Sequence, residues 1–141
     1  MVSDGGCIFC KIVNGEIPSS KVYEDEDALV ILDISPINKG HSLVLSKEHY
    51  KDIYDTPEEL LLKLAGITKK VSLATKKSLA CDGINIVQNN ERPSGQLVFH
   101  IHFHIIPRFS HDGIRFDTNR KKYEGTEMKE FAEKINISIQ K

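Results

Sequence analysis

Three of the chain's six histidines stand at alternate positions in Phe99-His100-Ile101-His102-Phe103-His104-Ile105. On a β-strand, alternate side chains share a face. The three imidazoles are therefore predicted to line one face, with Phe99, Ile101, Phe103 and Ile105 filling the other. Imidazole can be nucleophile, acid, base or metal ligand near neutral pH. Three roles are open to such a row. It can bind a metal, since H-x-H on a strand plus a distant histidine is the ligand pattern of several zinc hydrolases. It can attack a phosphate ester or phosphoramidate through a nucleophilic imidazole. Or it can be an inert polar face, although inert positions rarely take the same uncommon residue three times. The surroundings favour phosphate. Gly95 in Ser94-Gly95-Gln96 lets a ligand approach the backbone, and Gln96 carries an amide. Gly40-His41 brings a fourth imidazole from another segment. In-line attack at phosphorus needs a nucleophile on one side and donors around the equatorial oxygens.

The elements that position these residues are legible in outline. Residues 21–24, 28–33 and 41–46 read as strands, with turn chemistry at Pro36-Ile37-Asn38-Lys39-Gly40. A long helix is predicted from Thr56-Pro57-Glu58-Glu59, with Thr56 as cap, Pro57 in the first position and Glu59 completing a capping box. Leu60, Leu64, Ile67, Val71 and Ala74 recur at helical spacing, and Asp82-Gly83 is read as the stop. Strands over 84–88 and 98–106 are joined by a polar segment, Asn89 to Gln96, and Pro107 is expected to end the second. Residues 110–125 read as loop. A closing helix is expected over 127–139, with Met128, Phe131, Ile135 and Ile139 on one side. Strands on both sides of a long helix indicate an α+β fold with an antiparallel sheet, one long helix and a C-terminal helix, in a single domain over 1–141.

Composition narrows the partners. At 141 residues, 40% hydrophobic and 28% charged, this is ordinary globular composition. A net charge of -1 gives no electrostatic case for nucleic acid or an anionic membrane. No apolar run approaches the ~20 residues that cross a bilayer. The opening Met1-Val2-Ser3-Asp4-Gly5-Gly6 has neither a basic nor an apolar segment, so no signal peptide is expected. Three cysteines cannot all pair with one another, and a reducing cytosol is the default.

The run His100-Ile101-His102-Phe103-His104-Ile105-Ile106 resembles the signature of the histidine triad (HIT) superfamily, His-φ-His-φ-His-φ-φ with φ apolar. Cys7-Ile8-Phe9-Cys10-Lys11-Ile12-Val13-Asn14-Gly15-Glu16-Ile17-Pro18-Ser19 resembles the opening of its bacterial-type, zinc-containing branch. Leu32-Asp33-Ile34-Ser35-Pro36, Lys39-Gly40-His41 and Lys47-Glu48-His49 resemble its middle segment. The similarity spans about residues 7–108. It implies the following roles. His102 would attack the α-phosphorus of a purine nucleotide conjugate and hold it as a nucleotidyl-histidine, its other nitrogen oriented by the carbonyl of His100. His104 would supply a proton or hydrogen bond to the leaving group. His41 would support that network from behind. Asp33 would accept from the ribose hydroxyls beside Ile34, and Asn89, Gly95, Gln96, Leu97 and Val98 would surround the phosphate region. The implied activity is hydrolysis of nucleoside phosphoramidates, with dinucleoside polyphosphate hydrolysis, or a nucleotide-binding module with incidental turnover, as alternatives. A homodimer is also implied.

Cys7 and Cys10 form a C-x-x-C pair that is ambiguous alone. With His49 and His100 the set becomes Cys₂His₂, the composition of a structural zinc site, and the resemblance assigns zinc there. His100 would then be a ligand, leaving the chemistry to His102 and His104. Cys81 is expected to be buried as a small apolar residue, and His111 to be solvated. One departure stands out. The family pattern has serine after the Gly-Gln pair, and this chain has Leu97.

Overall fold

The computed structural model describes residues 6–116 and 119–139. Its elements in chain order are α1 (Ile8–Val13), β1 (Lys21–Glu24), β2 (Ala28–Leu32), β3 (Ser42–Ser46), α2 (Glu58–Leu79), β4 (Gly83–Val87), β5 (His102–Arg108) and α3 (Glu127–Ile139). The five strands form one antiparallel sheet in the order β1-β2-β3-β5-β4. The α+β expectation holds. Among the described residues no helix is long and apolar enough to cross a membrane.

Period-two alternation sorts the strands between two cores. Ala28, Val30, Val44, Ile101 and Ile105 pack under α2 against Leu64, Ile67 and Val71, with Phe103 beside them. Leu29, Ile31, Leu43 and Leu45 face the other way and pack against Cys7, Phe9 and Cys10 around α1. His102 and His104, set between Ile101, Phe103 and Ile105, therefore emerge on the α1 side. One core clamps the strand while the other leaves its imidazoles toward a cavity.

Several details differ from the sequence expectations. The helix α1 was not foreseen. It is six residues long and is capped by the Cys7 Sγ, which accepts from the Cys10 amide at 3.4 Å. The capping box at α2 is absent. Pro57 is the capping residue without a side-chain bond, and the Thr56 hydroxyl donates to the Asp52 carbonyl at 2.7 Å, closing the preceding turn. The helix stops at Leu79, before Asp82-Gly83. Ala80 turns left-handed (φ 51°), and the Asp82 amide instead donates to the Arg108 carbonyl at 2.9 Å, extending the β4–β5 pairing. Its buried stripe runs Leu64, Ile67, Thr68, Val71, Thr75, leaving Ala74 exposed. The two threonines are buried because their hydroxyls donate to the carbonyls of Leu64 and Val71, each at 2.8 Å.

The histidine strand begins at His102, not at Val98. Upstream of it, polar groups are spent elsewhere: Ile101 N–H donates to the Tyr50 carbonyl at 2.7 Å, and the His100 carbonyl accepts from a side chain. Nor does Pro107 end it, since β5 runs to Arg108. The β3–β5 ladder ends at Ser42↔Ile105, so residue 107 has a ladder neighbour only in β4. Its carbonyl points to the vacated side and accepts from Asn38 Nδ2 at 2.9 Å, so the missing N–H breaks no rung. The helix α3 forms as expected, yet Met128, Phe131, Ile135 and Ile139 are all exposed.

Candidate active site

His102 and His104 stand side by side on β5, ring centroids 5.0 Å apart. His102 is 7% exposed and its Nδ1 lies 2.6 Å from the His100 carbonyl oxygen. A carbonyl only accepts, so the proton sits on Nδ1 and Nε2 keeps its lone pair. Burial pushes the His102 pKa below its ordinary 6.5, against the pull of that carbonyl bond, so the ring is neutral at pH 7. A neutral imidazole with a free, unprotonated Nε2 is a nucleophile.

His104 meets His41, which comes from the residue before β3: His41 Nε2 and His104 Nδ1 are 2.9 Å apart. The backbone amide of Ile37 donates to His41 Nδ1 at 3.1 Å. Asp33, just past β2, lies 3.7 Å from His41 Nε2. Burial first, then the neighbouring His102 and His41, pushes the His104 pKa down to about 4. Burial likewise lowers that of His41, opposed by the Asp33 charge. Gly40 makes this turn possible. It has φ 98°, and a Cβ there would run into the Leu79 side chain.

These groups open on a cavity of about 310 Å³ lined by Phe9, Ile12, Ile31, Leu43 and Val98, with Asp33, His102 and His104 as its titratable groups. Among the described residues, no lysine or arginine lines it. Ile34 and Leu97 stand on its rim, 98% and 82% exposed, and Gly95 reaches it too. Gln96 does not. It is buried, its Oε1 accepting from the Glu91 amide at 2.7 Å and its Nε2 donating to the Lys51 carbonyl at 2.7 Å. Its side chain shapes the loop from below. Asn89 lies next to Gly95, whose missing Cβ would fall 3.5 Å from the Asn89 amide nitrogen.

His100 points elsewhere. Its Nδ1 is 3.4 Å from Cys7 Sγ, 3.6 Å from Cys10 Sγ and 3.2 Å from His49 Nδ1, and Cys10 Sγ is 3.3 Å from His49 Nδ1. The four donor atoms lie within 4.8 Å of one another. A tetrahedral zinc with Zn–N of ~2.05 Å and Zn–S of ~2.3 Å has N···N edges of about 3.3 Å and S···N edges of about 3.6 Å. The donor set fits that ion in chemistry and spacing. His100 Nε2 lies 2.7 Å from the Ser46 carbonyl, which places the proton there and frees Nδ1 for the cluster.

Two features escaped the sequence. Phe9, one of the two apolar residues between the cysteines, sets its ring edge-on against both His100 (5.9 Å) and His102 (5.0 Å). It joins the cluster to the candidate nucleophile. Asp112, next to the exposed His111, is tied into a dense polar cluster with Arg108 and Asn38. No local motif marks it. Cys81 is buried, as expected.

Comparison with known proteins matches this geometry. A protein of Streptococcus mutans UA159 has a solved structure with TM-score 0.91 and 43% identity, covering 97% of this chain and 87% of that one. A Zn-bound histidine triad family protein from Mycobacterium smegmatis gives TM-score 0.76 and 40% identity over 82% of this chain and 84% of its own. Among sequence relatives, the adenylylsulfatase HINT3 of Arabidopsis thaliana is 42% identical over 106 residues, 75% of this chain and 54% of the plant protein. Residues 14–111 match the family model of the HIT domain, and with the histidine row, the fold and these relatives in agreement, the chain belongs to the HIT domain family, on its bacterial-type branch.

Proposed function

We propose that this protein is a nucleotide hydrolase or transferase that cleaves at the α-phosphate of purine nucleotide conjugates, nucleoside phosphoramidates foremost. The observation that carries this is His102: a buried, neutral imidazole whose Nδ1 is held at 2.6 Å by a backbone carbonyl while it lines an apolar cavity shared with Asp33 and His104. The apolar walls take the base, and Asp33 accepts from the ribose hydroxyls. The Nε2 lone pair of His102 forms a bond to the α-phosphorus as the bond to the leaving amine breaks. The amine leaves as it takes a proton from water, with the Nε2–H of the neutral His104 hydrogen-bonded to it. Water then attacks the nucleotidyl-histidine, sheds to solvent the proton that the amine had taken from it, and releases the nucleoside monophosphate with His102 restored. An adenylylsulfatase among the relatives supports chemistry at an adenylyl phosphorus.

The mainly apolar lining of the cavity among the described residues favours a leaving group of low charge over a polyphosphate, whose anionic oxygens call for cations. Dinucleoside polyphosphates are accordingly the weaker substrates in this reading. Cys7, Cys10, His49 and His100 would hold a structural zinc, a role supported by the fit of the donor set and by the Zn-bound relative. Bound there, the ion would tie α1 to His100, two residues before β5. Thiolate ligands suit a reducing, cytoplasmic setting. The edge strand β4, with Ile86 exposed and sharing a shallow apolar pocket with Ala65 and Thr68 of α2, offers the face for a homodimer.

The test is His102→Asn. Turnover of an adenosine phosphoramidate is expected to fall at least about a thousandfold with nucleoside monophosphate binding retained. Wild-type protein quenched during turnover should carry a base-stable, acid-labile nucleotidyl group on His102. Label on another residue, or full activity of the variant, rejects the assignment.

A further inference from the structure

Below the catalytic turn lies a polar cluster that the proposed reaction does not use. Arg108, at the end of β5, forks onto Asp112: Nε donates to Oδ2 and Nη2 to Oδ1, each at 2.8 Å. Its Nη1 donates to Asn85 Oδ1 on β4 at 2.7 Å. Asp112 also accepts from the amides of Phe109 (3.0 Å) and Ile114 (3.1 Å) and from Asn38 Nδ2 at 3.0 Å. The Arg108 fork, followed by these amides, holds the Asp112 carboxyl far below the usual carboxylate range. The carboxylate is thus a permanent anchor.

Asn38 connects this anchor to the chemistry. Its side chain spans Asp112 and the Pro107 carbonyl, while its own carbonyl accepts from the His41 amide at 3.0 Å. The preceding residue supplies the Ile37 amide that donates to the His41 ring. A backbone N–H can only donate, so His41 Nδ1 bears a lone pair and, in the neutral ring, Nε2 bears the proton. That proton points at His104 Nδ1, 2.9 Å away. His104 must then carry its own proton on Nε2, the nitrogen left for the cavity. If the Ile37 amide shifts, its hold on the His41 tautomer is lost, and the Asp33 carboxylate 3.7 Å from Nε2 is the bias that remains. A lone pair there would demand a proton on His104 Nδ1 and strip the donor from the cavity side.

We propose that Asn38, Asp112 and Arg108 are positioning residues: by holding the 34–40 turn they fix the His41 tautomer and, through it, the proton-bearing nitrogen of His104. This rests on the reading of His104 as hydrogen-bond donor to the leaving group. It explains why a polar loop after the sheet makes so many bonds to one carboxylate, and why the turn before β3 is pinned from outside the cavity.

Two-bond proton–nitrogen NMR of the imidazoles, which reads tautomers without any substrate, is the primary measurement. In the wild-type protein His41 and His104 should both carry the proton on Nε2. In Asn38→Leu, and in the nearly isosteric Asp112→Asn should the first fail to fold, both rings should show mixed tautomers. In the same variants kcat on an adenosine phosphoramidate should drop about tenfold, one hydrogen bond's worth, with KM changed by less than about twofold because the nucleoside contacts are untouched. A wild-type His41 protonated on Nδ1 overturns the proposal. So do variants that melt earlier while keeping wild-type tautomers and kcat, since the cluster would then be only a clasp for the loop. A wild-type protein with the expected tautomers but no phosphoramidate turnover would reject the proposed reaction and leave the tautomer control standing.

Discussion

His100 and His104 are four residues apart on one segment, both are pushed down to about 4 chiefly by burial, and they stand in opposite settings. What separates them is the company of each ring's two nitrogens. At His100 both are engaged inside the protein, one at the Ser46 carbonyl and one in a cluster with two thiols and His49. At His104 one nitrogen is matched by His41 and the ring lines a cavity. A closed cluster suits a metal that holds structure, and an open one suits a group that must meet substrate. His102, between them, borrows from each: its tautomer comes from the His100 carbonyl, its exposure to the cavity from the alternation that it shares with His104. The lesson is that residue type and spacing nominate a histidine, while the partner of its second nitrogen assigns the work.

Three perturbations break or sharpen this contrast, beginning with the largest. Emptying the His100 end, by chelation or by Cys7→Ser with Cys10→Ser, should lower the melting temperature by about 10 °C, the scale expected when a bound ion adds about 4 kcal/mol to a domain of this size. Zinc content by mass spectrometry should fall from about one per chain to none. Activity should follow only as the His100 carbonyl and Phe9 loosen around His102. Equal stability with and without metal would dissolve the division of labour.

The second change touches the open end alone. Leu97 lines the same cavity as His102 and His104 and is exposed, so Leu97→Ser should leave the melting temperature within about 1 °C, as surface changes do. A hydroxyl there can donate to phosphate or departing amine. It should raise kcat/KM about tenfold for the most basic amine leaving groups, the value of a hydrogen bond of ~1.4 kcal/mol, and less for good ones. A uniform effect across amines of graded basicity would remove position 97 from the leaving group.

The smallest effect is on stability against pH. His104 has a folded pKa of about 4 against an ordinary 6.5. Between those values the unfolded chain binds the extra proton, so stability falls as pH drops from 6.5 to about 4 and this contribution is spent below. Discounted for solvent screening at a partly exposed ring, it amounts to ~1 kcal/mol. Denaturant titrations of His104→Gln should show a correspondingly flatter loss over that window. An unchanged slope would mean that His104 is not held neutral by its surroundings.

The fold was largely legible because its signals are local. The continuous apolar run Ala28–Leu32, buried on both faces, and the helical stripe of Leu64, Ile67 and Val71 are signals that a short window of the chain displays. The errors fell where a distant group took a backbone partner. Pro107 stays in its strand because Asn38 meets its carbonyl, whereas Ile101 leaves the ladder because the Tyr50 carbonyl takes its amide, and the Val98 carbonyl accepts from Gln96 Nε2 at 3.2 Å. Thr56 fails as a cap because Asp52 holds its hydroxyl.

By itself the sequence determined the inventory. It held histidines in a row, a C-x-x-C pair with two further imidazoles, a family signature, and a leucine in place of serine at position 97. Those follow from residue identity and spacing, which need no third dimension. Tertiary structure alone decided which nitrogen of His41, His100 and His102 bears the proton. It did so through the Ser46 carbonyl, the His100 carbonyl and the Ile37 amide, backbone groups whose identity every residue shares and whose direction only the folded chain supplies.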